Sequence, residues 1–289
     1  MQVAKAASLR IGTRELAWGV RTYVMGVLNA TPDSFSGDGV AADPETLERR
    51  VRELVDEAPD VIDIGGESTR PGAAPVDAET ELARVLPAIE AVRSHDLDLP
   101  ISIDTRKAVV AERAIVAGAD AINDVSGLRD DPGMAELAAG TGVPVVVMHS
   151  RRARAVHTDL GGQYRGVRYD DVVGDVMREG LKLVDVALEA GIAQQALIFD
   201  PGIGFGKTPA QNVELLRKLE TLREIGLPLL VGVSRKSFIG ELTGQAPAER
   251  LEGSLAAAVA AVAKGADMVR VHDVAATRRA VAVADALYR

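Results

Sequence analysis

The chain contains no cysteine, which excludes disulfides, thiolate catalysis and cysteine-ligated zinc or iron–sulfur centres. Aromatic side chains are scarce as well: one Trp, four Tyr and four Phe in 289 residues leave few platforms on which nucleic-acid bases could stack. Positive charge is in deficit, with 33 Lys and Arg against 42 Asp and Glu, and the formal charge of −9 argues again against a polyanionic partner. Nor is there a long hydrophobic run; the stretch up to Gly19 has no sustained apolar segment of the kind a signal peptide or membrane anchor needs. These absences predict a cytoplasmic chain with neither a nucleic-acid nor a membrane partner. What the sequence does have is apolar residues, 47% of the total, enough to bury a full core and too many for a disordered chain.

Those residues recur in a regular pattern. Eight short runs rich in β-branched residues, at 23–29, 61–65, 101–104, 121–124, 143–149, 196–200, 229–234 and 268–272, each end on a polar residue or glycine. They read as largely continuous apolar segments, the pattern of strands buried on both faces. Between them lie amphipathic stretches at 45–57, 78–94, 106–117, 131–139, 170–190, 211–225 and 248–264, and another at 275–288 ends the series. The run ends are 20 to 51 residues apart, from the Asp104–Asp124 interval to the His149–Asp200 interval, and most fit one βα unit. Eight units without a compositional break predict an α/β fold, a single (β/α)8 TIM barrel over 21–289 preceded by a lead-in over 1–20. A doubly wound open sheet competes, but no GxGxxG opens a helix after the first run. Long loops are expected after runs one, two and five, at 30–44, 66–77 and 150–169, all on the C-terminal face where barrels place their chemistry. The last holds five Arg and three Gly without periodicity and reads as a surface loop.

In a barrel the strand ends converge on one mouth, which would gather Asn29, Asp104, Asn123, Asp200, Lys236, Arg270 and His272. Burying so many polar groups without a ligand is costly, so the mouth is expected to hold one. A lone Asp at a strand end more commonly caps the next helix, and Asp104, ahead of Thr105-Arg106, is open to that reading. A carboxylate accepts two parallel hydrogen bonds, so Asp200 suits a guanidine-like N–C–N edge, with Asp104 and Asn123 for other ring nitrogens. That set points to a nitrogen heterocycle. Lys236, Arg270 and His272 lie on or just after the last two runs, where barrels commonly bind phosphate. Residues 234–237 also lead into a short helix start, whose N–H groups favour an anion. Arg70 and Arg235 read equally well as solvated loop charges. The glycine-rich 200–207 segment is no Walker A loop, because Lys207-Thr208 lacks the GxxxxG lead; its glycines are expected to allow a tight turn beside a bound ligand. His149 is open to a structural or a catalytic role, and with four His and no Cys no multi-histidine metal centre is expected.

Asn29-Ala30-Thr31-Pro32-Asp33-Ser34-Phe35-Ser36 resembles the first-loop signature of the dihydropteroate synthases, and Asp63-Ile64-Gly65-Gly66-Glu67-Ser68-Thr69-Arg70-Pro71-Gly72 is similar to their second. Ile103-Asp104-Thr105, Ile122-Asn123-Asp124, Asp200-Pro201-Gly202-Ile203-Gly204-Phe205, Ser234-Arg235-Lys236-Ser237 and Arg270-Val271-His272-Asp273 complete the set in order. The resemblance implies a TIM-barrel transferase that condenses 6-hydroxymethyl-7,8-dihydropterin pyrophosphate with p-aminobenzoate, giving 7,8-dihydropteroate and pyrophosphate in folate synthesis. It implies pterin contacts from Asp104, Asn123, Asp200 and Lys236, and a pyrophosphate site of Asn29, Arg70, Arg270 and His272. A p-aminobenzoate pocket of Phe35, Thr69, Pro71, Phe205, Lys236 and Ser237 is implied likewise, with Arg70, Lys236, Arg270 and His272 as the catalytic residues. Mg²⁺ is the implied cofactor, held by the diphosphate and Asn29, with Asp38 as a further candidate ligand. A homodimer and sulfonamide binding are also implied.

Three places depart from the family pattern. The first loop reads Ser36-Gly37-Asp38-Gly39 where the family order is Ser-Asp-Gly-Gly; Glu57-Ala58-Pro59-Asp60 replaces a Gly-Ala-Asp turn; and 150–169 does not follow the common loop. A non-catalytic pterin-binding paralogue would have lost the leaving-group residues, yet Arg70, Lys236, Arg270 and His272 are all present. A pterin-dependent methyltransferase would share the barrel and the acidic pocket without needing the 234–237 anion site.

Overall fold

The lead-in forms an antiparallel hairpin of β1 (Ser8–Ile11) and β2 (Arg14–Ala17), which the sequence reading does not assign. The structure, a computed structural model, describes residues 6–31, 44–69, 73–151, 156–158, 163–165 and 167–289. All eight apolar runs are strands: β3 (Tyr23–Asn29), β4 (Val61–Gly65), β5 (Ile101–Asp104), β6 (Ala121–Asp124), β7 (Val145–Met148) and, after a small antiparallel pair β8 (Val156–Thr158) and β9 (Gln163–Arg165), β10 (Leu197–Asp200), β11 (Leu230–Val231) and β12 (Met268–Val271). The β8–β9 pair lies in the stretch read as a plain loop; three-residue strands are too short for alternation to show in sequence.

The eight strands pair in parallel in the order β10-β7-β6-β5-β4-β3-β12-β11. Phe199 bridges Leu229 and its N–H donates to the Pro228 carbonyl at 2.9 Å, so the two ends of the sheet meet and the barrel closes. Helices cover the outside: α1 (Pro44–Asp56), α2 (Ala78–His95), α3 (Ala108–Val116), α4 (Gly133–Thr141), α5 (Val172–Glu189), α6 (Pro209–Arg217), a short α7 (Ser237–Thr243), α8 (Leu251–Ala263) and α9 (Val274–Tyr288). Local chemistry sets their ends. The Asp77 carboxylate accepts from Thr80 N at 2.7 Å to start α2, and Thr208 and Gln211 form a reciprocal capping box ahead of Pro209 in α6. The expected 211–225 helix breaks at Lys218, beyond which 219–225 is a 3-10 helix ending on left-handed Gly226.

The core has two compartments, and the strand pleat separates them. Outward residues such as Ile62, Ile64, Ile101, Ile103, Ile122, Val145, Leu197, Phe199 and Val269 pack under the helices. Inward residues near the strand starts, Tyr23, Met25, Val61, Ala121, Val146, Ile198, Leu230 and Met268, form a second cluster with Leu9, Ile11, Leu16 and Trp18. The hairpin therefore seals the N-terminal end of the barrel with apolar side chains. Toward the other end the same inward positions turn polar.

Candidate active site

Strand parity decides which polar groups meet. Two residues beyond the apolar layer, β4 places Asp63 inward; one register row along, β5 places Ser102 and then Asp104, β6 places Asn123, β10 places Asp200 and β12 places Arg270. Asp63 has no solvent exposure. Its Oδ2 accepts from Arg270 Nε at 2.6 Å and from Asn123 Nδ2 at 2.9 Å, while Arg270 Nη2 donates to Asp104 Oδ2 at 2.8 Å. Because the Asn123 amide spends a hydrogen on Asp63, its carbonyl oxygen remains as an acceptor. The Oδ1 of Asp63 and the hydroxyl of Ser102, its register neighbour, are buried without a hydrogen-bond partner. Asp104 thus pairs with a cation and does not cap α3; there Asp131 Oδ2 accepts from Ala108 N at 2.7 Å.

The opposite wall comes from β10 and β11. Asp200 Oδ1 accepts from Gly202 N at 2.7 Å, which starts a turn through Gly204 to Phe205. Gly202 (φ +67) is required because a Cβ there would lie 1.9 Å from the His149 carbonyl oxygen; Gly204 (φ +83) lies against the Lys236 side chain. The tight turn expected from the glycines exists, and at Gly202 the close neighbour is this backbone oxygen. Lys236 stands at the start of α7 with its Nζ 4.3 Å from the centre of the Phe205 ring, a cation–π contact. Buried there, it feels the charges of Asp200, Arg270 and Asp104, and it follows Arg235, whose left-handed backbone (φ 56) is uncommon for a non-glycine residue. Arg235 itself is no solvated loop charge: it pairs with Asp273 at 2.5 and 3.0 Å. His272, just past β12, meets Ser234 through Nδ1 at 3.1 Å and through its backbone N–H at 3.2 Å. Asn29 ends β3 beside Gly65, half-buried at the same face.

Residues missed by sequence reading shape the second loop. Arg106 Nη2 at 2.6 Å and Lys107 Nζ at 2.5 Å both reach Glu67, Lys107 also reaches Glu81 at 2.5 Å, and Arg84 donates to the Gly66 carbonyl at 2.8 Å. This clamp from α2 and the start of α3 lies two residues before Thr69, which is half-buried. Asp63 and Glu67 both sit inside the quoted second motif; the period-2 parity of β4 was the signal for Asp63. Of the expected site residues, Phe35, Asp38, Arg70 and Pro71 lie outside the described residues.

Burial dominates the electrostatics. It pushes the Asp104 carboxyl up to about 7, with Arg270 opposing and Asp63 reinforcing the rise, and it raises Asp200 too, against the Gly202 hydrogen bond. It also lowers the Lys236 ammonium to about 8, against the pull of Asp200. Two carboxyl groups around one guanidinium, with an ammonium tuned toward neutrality opposite, suit a ligand rich in N–H donors that also carries or releases negative charge. A separate open groove of about 760 Å³ between α6 and α7, walled by Thr208, Val213, Arg217, Glu241 and Leu242, contains none of the expected site residues.

Comparison with known proteins gives the same direction. Residues 25–272 match the model of a family described as pterin binding enzyme. A dihydropteroate synthase of Clostridium beijerinckii is 43% identical over 282 residues, covering 97% of this chain and 100% of that one, and that of Escherichia coli is 43% identical with 91% of each covered. The Xanthomonas albilineans dihydropteroate synthase solved with 4-aminobenzoic acid is 44% identical, covers 98% of both chains and superposes with a TM-score of 0.88. The chain belongs to the dihydropteroate synthases. A second Xanthomonas albilineans dihydropteroate synthase structure, in complex with 7,8-dihydropteroate, is 42% identical with a TM-score of 0.84. The (β/α)8 barrel, the enzymatic class and the folate pathway of the dihydropteroate synthases are thus those of this chain, and the alternative of a methyltransferase barrel falls away.

Proposed function

We propose that the mouth binds a dihydropterin pyrophosphate at its base and p-aminobenzoate above it, and joins the aromatic amine to the pterin methylene. The observation that carries this reading is the convergence of Asp104, Asn123 and Asp200 with Lys236, Arg270 and His272 at one end of a barrel sealed at the other. Asp200 reads the N–C–N edge of the pterin ring, the Asn123 oxygen and Asp104 take further ring N–H groups, and Lys236 takes a ring acceptor. Bonds from ring N–H groups to Asp104 favour its ionised form, so pterin binding and deprotonation of that group are coupled.

The reaction breaks the C–O bond to the diphosphate and forms a C–N bond. Positive charge develops on the methylene, delocalised into the ring held by Asp104 and Asp200, while the bonding electrons leave with the diphosphate. Arg70, Arg270 and His272 receive that anion, an electrostatic effect of the kind that is usually the largest catalytic contribution. The free aniline lone pair is nucleophilic at neutral pH, so attack needs no base, and the anilinium formed sheds its proton afterwards. Phe35, Thr69, Pro71, Phe205, Lys236 and Ser237 make the aromatic pocket and exclude water from the cation.

Mg²⁺ belongs to the same proposal. A diphosphate substrate commonly brings Mg²⁺ with it, the ion keeping several waters and needing only one or two protein oxygens. Asn29 and Asp38 are the protein groups that would hold it, and bound there it would neutralise diphosphate charge. We extend the reading to a homodimer, checked by light scattering, to sulfonamides as occupants of the p-aminobenzoate pocket, checked by competition, and to a cytoplasmic location, checked by fractionation. The deciding experiment is pyrophosphate release with both substrates and Mg²⁺. Release that needs p-aminobenzoate supports this reading of the mouth; pterin binding with no p-aminobenzoate-dependent release contradicts it.

A further inference from the structure

The proposed reaction leaves one set of buried titratable groups unused, and it lies behind the β10 turn. Lys207 is 4% exposed, and its Nζ has three partners: the Gly202 carbonyl at 2.9 Å, the Phe205 carbonyl at 3.2 Å and His149 Nδ1 at 3.2 Å. An ammonium has three hydrogens and no acceptor, so all three are used and His149 Nδ1 must present its lone pair. The imidazole proton is then on Nε2, which donates to Glu179 Oε2 at 2.9 Å. Glu179, on α5, also takes Arg151 at 2.6 Å, and Arg151 reaches Asp175 at 3.0 Å. A continuous line of hydrogen bonds therefore runs from the outer helix α5 through His149 and Lys207 into the turn that carries Phe205.

That turn has few other supports. Gly202 N bonds Asp200, Phe205 N bonds the Gly202 carbonyl at 3.0 Å, and Gly204 N bonds Asn212 Oδ1 at 2.8 Å. Asp200 and Asn212 each hold one N–H of the turn; among the described residues, Lys207 is the one whose side chain bonds the carbonyls at both of its ends, Gly202 and Phe205, and links them to His149. We propose that Lys207, oriented by a neutral His149, is a positioning residue that sets this turn and thereby presents the Phe205 ring beneath Lys236 for the aromatic amine. The assignment rests on the synthase reading of the mouth. It makes His149 part of the support and takes it out of the chemistry.

The groups that act on Lys207 are Asp200 and Glu179, which attract its charge, Lys236 and Arg151, which repel it, His149, and the Tyr169 ring with its centre 6.0 Å away. Burial lowers its ammonium to about 7, with Asp200 opposing, while burial holds His149 near 4 and so neutral. The third hydrogen bond is present below about pH 7 and is lost as pH rises through it.

The test uses the full chain with Lys207→Met and Lys207→Arg, reading KM for p-aminobenzoate, kcat, calorimetric affinity for a bare pterin, and the pH dependence of KM between 6 and 8.5. Lys207→Met should raise KM for p-aminobenzoate about thirtyfold while changing pterin affinity less than about fivefold, and Lys207→Arg should recover most of the loss and flatten the KM inflection near pH 7. Unchanged KM in Lys207→Met, or equal losses of pterin affinity and KM, overturns the proposal. Should Lys207→Met fail to fold, Lys207→Gln, which keeps a donor but not three, takes its place, and an unchanged KM for p-aminobenzoate in that variant overturns the proposal. A wild-type enzyme that releases no pyrophosphate would count against the synthase reading, a different failure.

Discussion

Removing Asp63 should disable the mouth from below. This carboxylate is fully buried, holds Arg270 and Asn123 through one oxygen, and leaves the other oxygen unbonded. Asp63→Ala strips Arg270 of one of its two carboxylate partners and frees the Asn123 amide to rotate. Breaking a buried pair by deleting one member costs about 3–5 kcal/mol, a large part of a total stability on the order of 5–15 kcal/mol. At about 2 °C per kcal/mol for a chain somewhat longer than 250 residues, the melting temperature should fall by roughly 6–10 °C. Asp63→Asn keeps an acceptor for Arg270 and should lose about half as much. It also removes one of the negative charges that add to the burial-driven rise of Asp104, so Asp104 should ionise at lower pH in that variant. Scanning calorimetry gives the stability and titration with a pterin ligand gives the site. Melting within 2 °C of wild type in both variants, with unaltered pterin affinity, would refute the view that Asp63 underlies the site.

Four further outcomes are expected. Asp200→Ala should abolish pterin binding, and Asp200→Asn should weaken it about a hundredfold while leaving some, because an amide accepts through a single oxygen; calorimetric titration decides, and wild-type affinity in Asp200→Ala removes Asp200 from the site. His272→Ala should reduce turnover far more than affinity for a pterin without the diphosphate, and parallel losses would contradict its place at the leaving group. Asp104 has a folded-state pKa near 7, above its ordinary value, so its share of stability is full at pH values below about 4 and is lost as pH rises through 7; denaturation at pH 5 and 8 should show this slope in wild type and lose it in Asp104→Asn. Asp38→Ala should lower turnover and the response to Mg²⁺ with pterin-only binding intact, whereas normal Mg²⁺ dependence would mean the displaced acid of the first loop has no role.

The barrel was legible because each of its strands is an apolar run long enough to stand out from the helices around it. The two hairpins were hidden for different reasons. In β1–β2 the alternation Leu9, Ile11, then Leu16, Trp18 covers four-residue strands in a stretch read only for targeting signals, whereas β8–β9 has three residues a side. Asp104 and Asp200 were visible as polar terminators of their runs, and Asn123 and Arg270 as polar residues one or two places before the ends of theirs. Asp63 was hidden because it lies mid-strand, where a run looks continuous unless its inward parity is followed. Glu67 and Lys207 act through partners distant in sequence, Arg106 and His149, and only the fold brings those together.

The apolar seal made by β1 and β2 has a kinetic corollary. Among the described residues the strand-start end is closed, and Asp104 and Asn123 sit within strands while Phe205 and Ser237 follow strand ends on the opposite face. On the proposed placement of the two substrates, a molecule in the outer pocket would block the way to the floor, so the deeper substrate should enter first and an outer occupant should trap it there. Inhibitors that mimic the outer substrate should therefore hold the inner one in place rather than drive it out, and the joined product must leave through the opening by which its parts arrived.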